Sequence, residues 1–354
     1  MKSKTVILIV IISMFLSCEN NSEFEYYHYS WEKQVSNTTL TLNDIAFTDS
    51  LTGWVCGEYG ILLTTTDAGL TWIQKDDLLN KTNLNKIFFT EPEIGFVLGD
   101  YEAYKTSDGG DTWISIFVRD SSINLFDMQF LNSKTGWICS MDIYKTTNGG
   151  DNWEIVTPKK DSSIIIVWLS YFVDEFNGFG FCRVFDTTEN MSDSYLAEMR
   201  TIDGGENWEF INKDYWTSLF GPTQYYFVSP QIGFKVFDFR NIEKTTNSGD
   251  EWLSIYNNVP FSLHDHGTSL YRPFKLIYHN NENLIITGND MSYTKKYIGY
   301  ISRSTNLGES WKSYQTGMYG KINSGYFIND NTGWLVGDQG LILKTTNGGK
   351  YYFD

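Results

Sequence analysis

The chain has 354 residues, 41% of them hydrophobic and 17% aromatic, which is ample apolar material for a large core and more than one small domain requires. Its formal net charge of −16 repels phosphate backbones, so nucleic acid is set aside as a partner.

In chain order, the first element is a targeting segment. Lys2 and Lys4 precede an apolar run from Val6 to Leu16 that ends Phe15-Leu16-Ser17-Cys18, the pattern of a signal peptide over residues 1–17. The run is too short for an ordinary spanning helix. Leu16-Ser17-Cys18 resembles the lipobox of bacterial lipoproteins, which implies that Cys18 becomes the lipidated first residue of the mature chain. Residues 18–29 then form a polar tether, and the protein meets the membrane through its lipid anchor only. The same resemblance implies a cell-envelope location, on the periplasmic side or the cell surface, with the outer membrane as the expected membrane. Three other cysteines, Cys56, Cys139 and Cys182, are an odd number for a disulfide framework. Cys56 and Cys139 occupy equivalent repeat positions where other repeats carry Leu98, Val236 and Val336, and so read as small core hydrophobes.

Residues 30–354 are dominated by one repeat, Ser/Thr-x-Asp/Asn-x-Gly-x-x-Trp, with a period of about 40 residues, the size of a four-stranded propeller blade. Its copies carry the pairs Asp67 and Trp72, Asp108 and Trp113, Asn148 and Trp153, Asp203 and Trp208, Asn247 and Trp252, Asn306 and Trp311, and Asn347 with Tyr352 in the last place. The motif is turn chemistry. Its Asp or Asn folds back onto nearby backbone N–H groups, its glycine takes a backbone conformation that other residues resist, and its tryptophan starts the next strand. A second register supports the reading: six repeats have a glycine followed by an aromatic (Trp54, Phe96, Trp137, Phe179, Phe234, Trp334), and a phenylalanine lies six positions before each glycine. The sixth repeat departs, with Leu284 to Thr287 standing in for its second strand. These registers predict an all-β, seven-bladed propeller of four-stranded antiparallel blades. The last box leaves no room for a fourth strand, and Trp31 to Val35 is a spare one. The N-terminal strand is therefore expected to pair with Leu341 to Thr345 and complete the last blade, leaving no open sheet edge.

The run Gly-Trp-Leu-Val-Gly-Asp-Gln-Gly-Leu-Ile-Leu-Lys-Thr-Thr-Asn-Gly-Gly (residues 333–349), echoed from Gly53 to Gly69, resembles the photosystem II assembly and stability factor family. That resemblance implies a seven-bladed propeller acting as a non-enzymatic, protein-binding scaffold without a cofactor.

In such blades the boxes lie on one face, and the turns between second and third strands lie on the other. On that second face six blades place an acid: Glu58, Asp100, Asp142, Asp238, Asp290 and Asp338. Good turn formation explains them, and so does an acidic ring for a basic partner or cation. Three insertions favour the same face. Val184 to Met199 extends a turn, Asp214 to Pro222 brings Tyr215, Trp216 and Phe220, and Asn257 to Pro273 brings His264 and His266. The aromatics suit a protein hot spot, a sugar, or packing on the rim. The two histidines make half of a metal site, with no third ligand assignable and no metal expected. The alternative function is a glycan-binding or glycan-hydrolysing propeller using two carboxylates. The chain has only six arginines and lacks the Arg-Ile-Pro element that a sialidase needs.

Overall fold

The computed structural model describes residues 30–75, 82–119, 123–159, 163–186, 194–212, 222–237, 242–255, 272–280, 282–291 and 297–351. Within them lie seven four-stranded antiparallel sheets arranged as the blades of a propeller. With the strands of each blade called A to D from the centre outwards, blade 1 is Leu42–Phe47, Gly53–Gly57, Leu62–Thr65 and Ile73–Gln74. Blade 2 is Leu84–Glu91, Ile94–Gly99, Glu102–Thr106 and Ile114–Val118; blade 3 is Asp127–Phe130, Gly136–Cys139, Ile143–Thr146 and Glu154–Ile155. Blade 4 is Ser163–Phe172, Gly178–Asp186, Ser194–Thr201 and Glu209–Asn212; blade 5 is Pro222–Phe227, Gly233–Phe237, Ile242–Thr245 and Leu253–Ser254. Blade 6 is Arg272–Asn280, Asn283–Met291, Tyr297–Ser304 and Lys312–Tyr319. Blade 7 takes strands A to C from Ile322–Phe327, Gly333–Gly337 and Ile342–Thr345, and strand D from the N-terminal Glu32–Gln34. The closing pairs are Glu32 with Lys344, Lys33 with Leu343 and Gln34 with Ile342.

The phenylalanine and glycine six residues apart face each other across strands A and B, as Phe47 faces Gly53. The glycine's missing side chain makes room for the ring: a Cβ on Gly53, Gly95, Gly136, Gly178, Gly233 or Gly333 would come within 2.5–2.7 Å of that phenylalanine. The exposed ring face then receives the strand B aromatic of the preceding blade, with Trp334 over Phe47 at 3.9 Å, Phe96 over Phe130 at 3.7 Å and Trp137 over Phe172 at 3.8 Å between centroids. The box tryptophan of its own blade stands edge-on, as Trp72 does to Phe47 at 6.2 Å and Trp153 to Phe130 at 6.0 Å. In blade 7 this place is taken by Trp31, edge-on to Phe327 at 6.2 Å. Tyr352, the last-place aromatic of the seventh box, lies outside the described residues. The repeat is thus an interblade aromatic relay, with geometry and area burial both favouring the ring.

All seven boxes use the same bonds. The box Ser/Thr hydroxyl donates to the Asp/Asn side chain (2.8 Å from Thr65 to Asp67) and accepts the glycine N–H (2.8 Å from Gly69). In the first six the Asp/Asn oxygen also accepts an N–H four residues on, as Asp67 does from Thr71 at 2.8 Å. A box N–H in each blade donates to the turn between strands A and B at 2.6–3.0 Å, which places boxes and A–B turns on one face. The residue before the box Ser/Thr is a cation in blades 2 to 7, and several of these reach the next blade's box: Lys105 donates to the Gly149 carbonyl at 3.1 Å, Arg303 to Gly348 at 2.8 Å, and Lys344 to Ala68 at 2.9 Å across the closure.

Thr146→Val removes a buried hydroxyl that serves both Asn148 and the Gly150 N–H, and the unfolding free energy from a urea titration should fall by an amount on the order of 1–3 kcal/mol. The aspartate boxes add a pH term. The Thr71 hydroxyl and N–H hold the Asp67 carboxyl below its usual range, Thr112 does the same for Asp108, and the Asn207 N–H and side chain draw Asp203 down to about 2. Carboxyls depressed in the folded state stabilise above an unfolded pKa of about 3.9 and lose that contribution as pH falls toward 2. The triple variant Asp67→Asn, Asp108→Asn, Asp203→Asn should therefore lose less stability than wild type between about pH 4 and 2. Parallel acid curves for the two proteins would refute this assignment.

Cys56, Cys139 and Cys182 are buried and free. Burial pushes the Cys56 and Cys139 thiols well up, and Cys182 up to about 12, as expected of core side chains rather than reactive thiols.

Candidate functional site: a funnel on the face opposite the boxes

The A strands of all seven blades surround a central funnel of about 750 Å³. Because the A–B turns share the box face, the start of each A strand lies on the opposite face, and the wide end of the funnel is lined there by Asn85, Phe126, Trp168, Lys321 and Asn323. Tyr171, Tyr225 and Tyr226 also line it. Burial, then the neighbouring Tyr171, Tyr278 and Tyr326, raise the Tyr226 phenol above its ordinary range.

A β-bulge shapes the mouth. In blades 1, 2, 4, 5 and 7 the A–B register skips one residue, the one four positions before the recurring phenylalanine, and a bulge re-aims the side chain it expels. In blades 1 and 7 that residue is an asparagine that stitches to the next blade: Asn43 donates to the Leu84 carbonyl at 2.9 Å and Asn323 to the Leu42 carbonyl at 2.9 Å. Asn85 of blade 2 donates to Asp100 at 2.9 Å. Blades 3 and 4 carry Phe126 and Trp168 at the same place, 43% and 37% exposed. These two aromatics are the largest departure from the repeat on this face.

The next residue inward contributes a polar belt. Lys86 bonds Asp127 at 2.7 Å, and Lys275 bonds Asp44 at 3.0 Å and the Ser324 hydroxyl at 2.9 Å. Asp44 also accepts the Ser324 hydroxyl and the Ile87 N–H (3.1 Å), so one buried carboxylate ties blades 1, 2, 6 and 7. Burial, the largest single effect, depresses the Lys86 ammonium, but the charge and hydrogen bond of Asp127 together with the charges of Asp44 and Tyr171 outweigh it and raise the group. The spacing to the recurring phenylalanine was the signal in the sequence for both rings, four positions before it for the stitches and three for the belt, except for Lys275, whose blade lacks that phenylalanine.

Four of the sequence-predicted acids are brought to this face and bonded locally. Glu58 accepts the Thr41 N–H at 3.1 Å, Asp100 accepts Asn83 and Asn85 at 3.1 and 2.9 Å, Asp142 accepts the Thr157 hydroxyl at 3.0 Å, and Asp338 accepts Asn323 at 3.3 Å. Asp290 lies in strand B of blade 6, opposite Ile298. The extension from Val184 is a lengthened B–C hairpin in blade 4. Cys18, Tyr215, Trp216, Phe220, Asp238, His264 and His266 lie outside the described residues. Among the described residues no three His, Cys, Asp or Glu side chains are grouped to hold a metal, and no helix is long and apolar enough to cross a membrane.

The fold and funnel together define a seven-bladed Asp-box β-propeller. The model of the family described as photosynthesis system II assembly factor YCF48 matches residues 23–121, which span the closing strand and blades 1 and 2. Solved structures of similar fold include YCF48 bound to D1 peptide (20% identity, TM-score 0.61, covering 90% of this chain and 97% of that one). YCF48 from Cyanidioschyzon merolae is also similar (16% identity, TM-score 0.60, 89% and 98%). So is the GH74 xyloglucanase from Xanthomonas campestris (12% identity, TM-score 0.62, 90% and 54%). No curated protein matches by sequence. The resemblance to the photosystem II assembly factor family read from the repeats is borne out, and the likeness to solved structures at these identities is one of fold.

Proposed function

We propose that this propeller is a non-enzymatic scaffold that captures a protein partner on the face opposite its Asp boxes, held at the outside of a membrane by a lipid on Cys18. The observation that carries the reading is the replacement of two interblade asparagine positions by exposed aromatics, Phe126 and Trp168, at the funnel mouth. Partly exposed aromatics at the mouth of a cleft are the usual anchors of a protein interface. The boxes, by contrast, spend their polar atoms internally in every blade. The solved complex of YCF48 with a D1 peptide supports a polypeptide as the kind of partner. A glycosidase reading has less support: the two carboxylates of the funnel, Asp44 and Asp127, are each bonded to a lysine, whereas glycoside hydrolysis needs one carboxyl ready to give up a proton.

The test is capture of the native partner from detergent-solubilised membranes. Tyr59→Lys with Phe126→Lys places charge at exposed sites on the proposed face, and Leu70→Lys with Ile202→Lys does so within the boxes. The first pair should lower capture at least tenfold, and the second should leave it unchanged, with both unfolding within about 0.5 kcal/mol of wild type as surface changes do. Equal capture by both pairs, or turnover of a glycan by the purified protein, overturns the proposal. In the same preparations Cys18→Ala should lose fatty-acid labelling and membrane association; retained labelling excludes the anchor.

A further inference from the structure

We infer that the funnel is itself a ligand site, for a small organic anion that carries a flat ring system. Its volume, about 750 Å³, falls within the range of small-molecule pockets. Its lining is two-sided. Blades 3 and 4 supply an aromatic shelf, Phe126 and Trp168, with the Phe181 ring 6.0 Å behind Trp168. Blades 2, 6 and 7 supply three ammonium groups, Lys86, Lys275 and Lys321.

The charge inside the funnel has the opposite sign to that of the molecule. Three lysines face two aspartates, Asp44 and Asp127, in a chain whose net charge is −16. Hydrogen-bonding capacity points the same way. Asp44 already accepts from Lys275, Ser324 and Ile87, whereas an ammonium has three donors and Lys86 directs one of them to Asp127. The funnel therefore has donors to offer and a local positive surplus, which a low-dielectric cleft focuses toward its mouth. A flat ring lies on the Phe126 and Trp168 shelf, and its anionic group reaches the lysines across the funnel. The aromatic edge and face supply contact beyond simple burial, while the ion pairing selects the charged ligand over a neutral one.

The inference shares a face with the protein-partner reading but stands apart from it, because the probe is a small molecule. Isothermal titration of the full chain at neutral pH with 2-naphthoate and with 2-naphthamide compares the same ring with and without the charge. Naphthoate should bind with one-to-one stoichiometry, several-fold more tightly than naphthamide, and the difference should shrink in high salt. Lys321→Gln should weaken naphthoate roughly threefold and leave naphthamide unchanged, as loss of one partly exposed charge contact does. Trp168→Ala should weaken both about fivefold to tenfold, as loss of a stacking platform does. Equal affinity for the two probes, no binding of either, or naphthoate binding indifferent to both substitutions overturns the inference. If the Phe126 variant loses partner capture while naphthoate fails to bind wild type, the partner reading stands and the ligand site falls. If naphthoate binds as described and capture is indifferent to the face variants, the reverse holds.

Discussion

A chain beginning at Asn37 should unfold at a much lower temperature than one that retains residues 30–36, and over a broader transition. The missing segment supplies strand D of blade 7, so its loss leaves the Ile342–Thr345 strand as an unpaired edge. It also removes Trp31, which is buried against Phe327, Ile301, Leu341 and Leu343, and Gln34, whose side chain accepts the Trp72 indole N–H at 3.2 Å. Trp31→Ala alone should cost roughly 3–5 kcal/mol, the range for truncating a large buried aromatic, and the truncation should exceed it. An unchanged midpoint and cooperativity in the truncated chain would show that the ring does not depend on this closure.

Replacing Lys235 by methionine should be comparably damaging. Lys235 and Glu198 are 2% and 1% exposed, 3.0 Å apart across the boundary between blades 4 and 5; Glu243 lies 2.9 Å from the same ammonium, and the Trp252 ring 4.5 Å away. Lys235→Met keeps the volume but removes the ammonium bonded to the buried Glu198 carboxylate, a change that costs about 3–5 kcal/mol when one partner of a buried pair is lost. Adding Glu198→Met should restore most of the loss, since an apolar pair can replace a buried ion pair. No recovery in the double variant would mean that the lysine's packing rather than its charge matters.

The parts of this fold that were legible in the sequence are those written six or seven times. The box is a local turn whose bonds span a few residues, and the Phe and Gly pair is fixed by direct opposition in one hairpin, so each leaves a constant spacing along the chain. The closure was legible for the same reason, because Trp31 precedes Phe47 by nearly the interval that separates Trp72 from Phe89. Single-copy contacts between blades were not. Nothing in the sequence joins Lys235 to Glu198, or Asp44 to Lys275, whose separation of 231 residues is bridged only when the ring closes. The acids of the second face were found by position, but not the amide and hydroxyl groups that engage Asp100, Asp142 and Asp338. Phe126 and Trp168 were visible in principle: they become conspicuous only once Asn43 and Asn323 are known to be stitches, since then an aromatic there is a departure rather than one more hydrophobe.

The offset between sequence unit and blade has a consequence for copy number. Because strand D of the last blade comes from the beginning of the ring, each tandem unit of sequence carries the fourth strand of one blade and the first three of the next. A duplication or loss of one whole unit therefore inserts or removes a blade without disturbing the seam, and every boundary still receives its aromatic relay from the neighbour before it. What holds the count at seven must then lie where all blades converge, in the widths of the inner strands and in the reach of side chains such as Lys275, which spans from blade 6 past Ser324 of blade 7 to Asp44 of blade 1. An eighth blade would pull those groups apart while leaving the perimeter content.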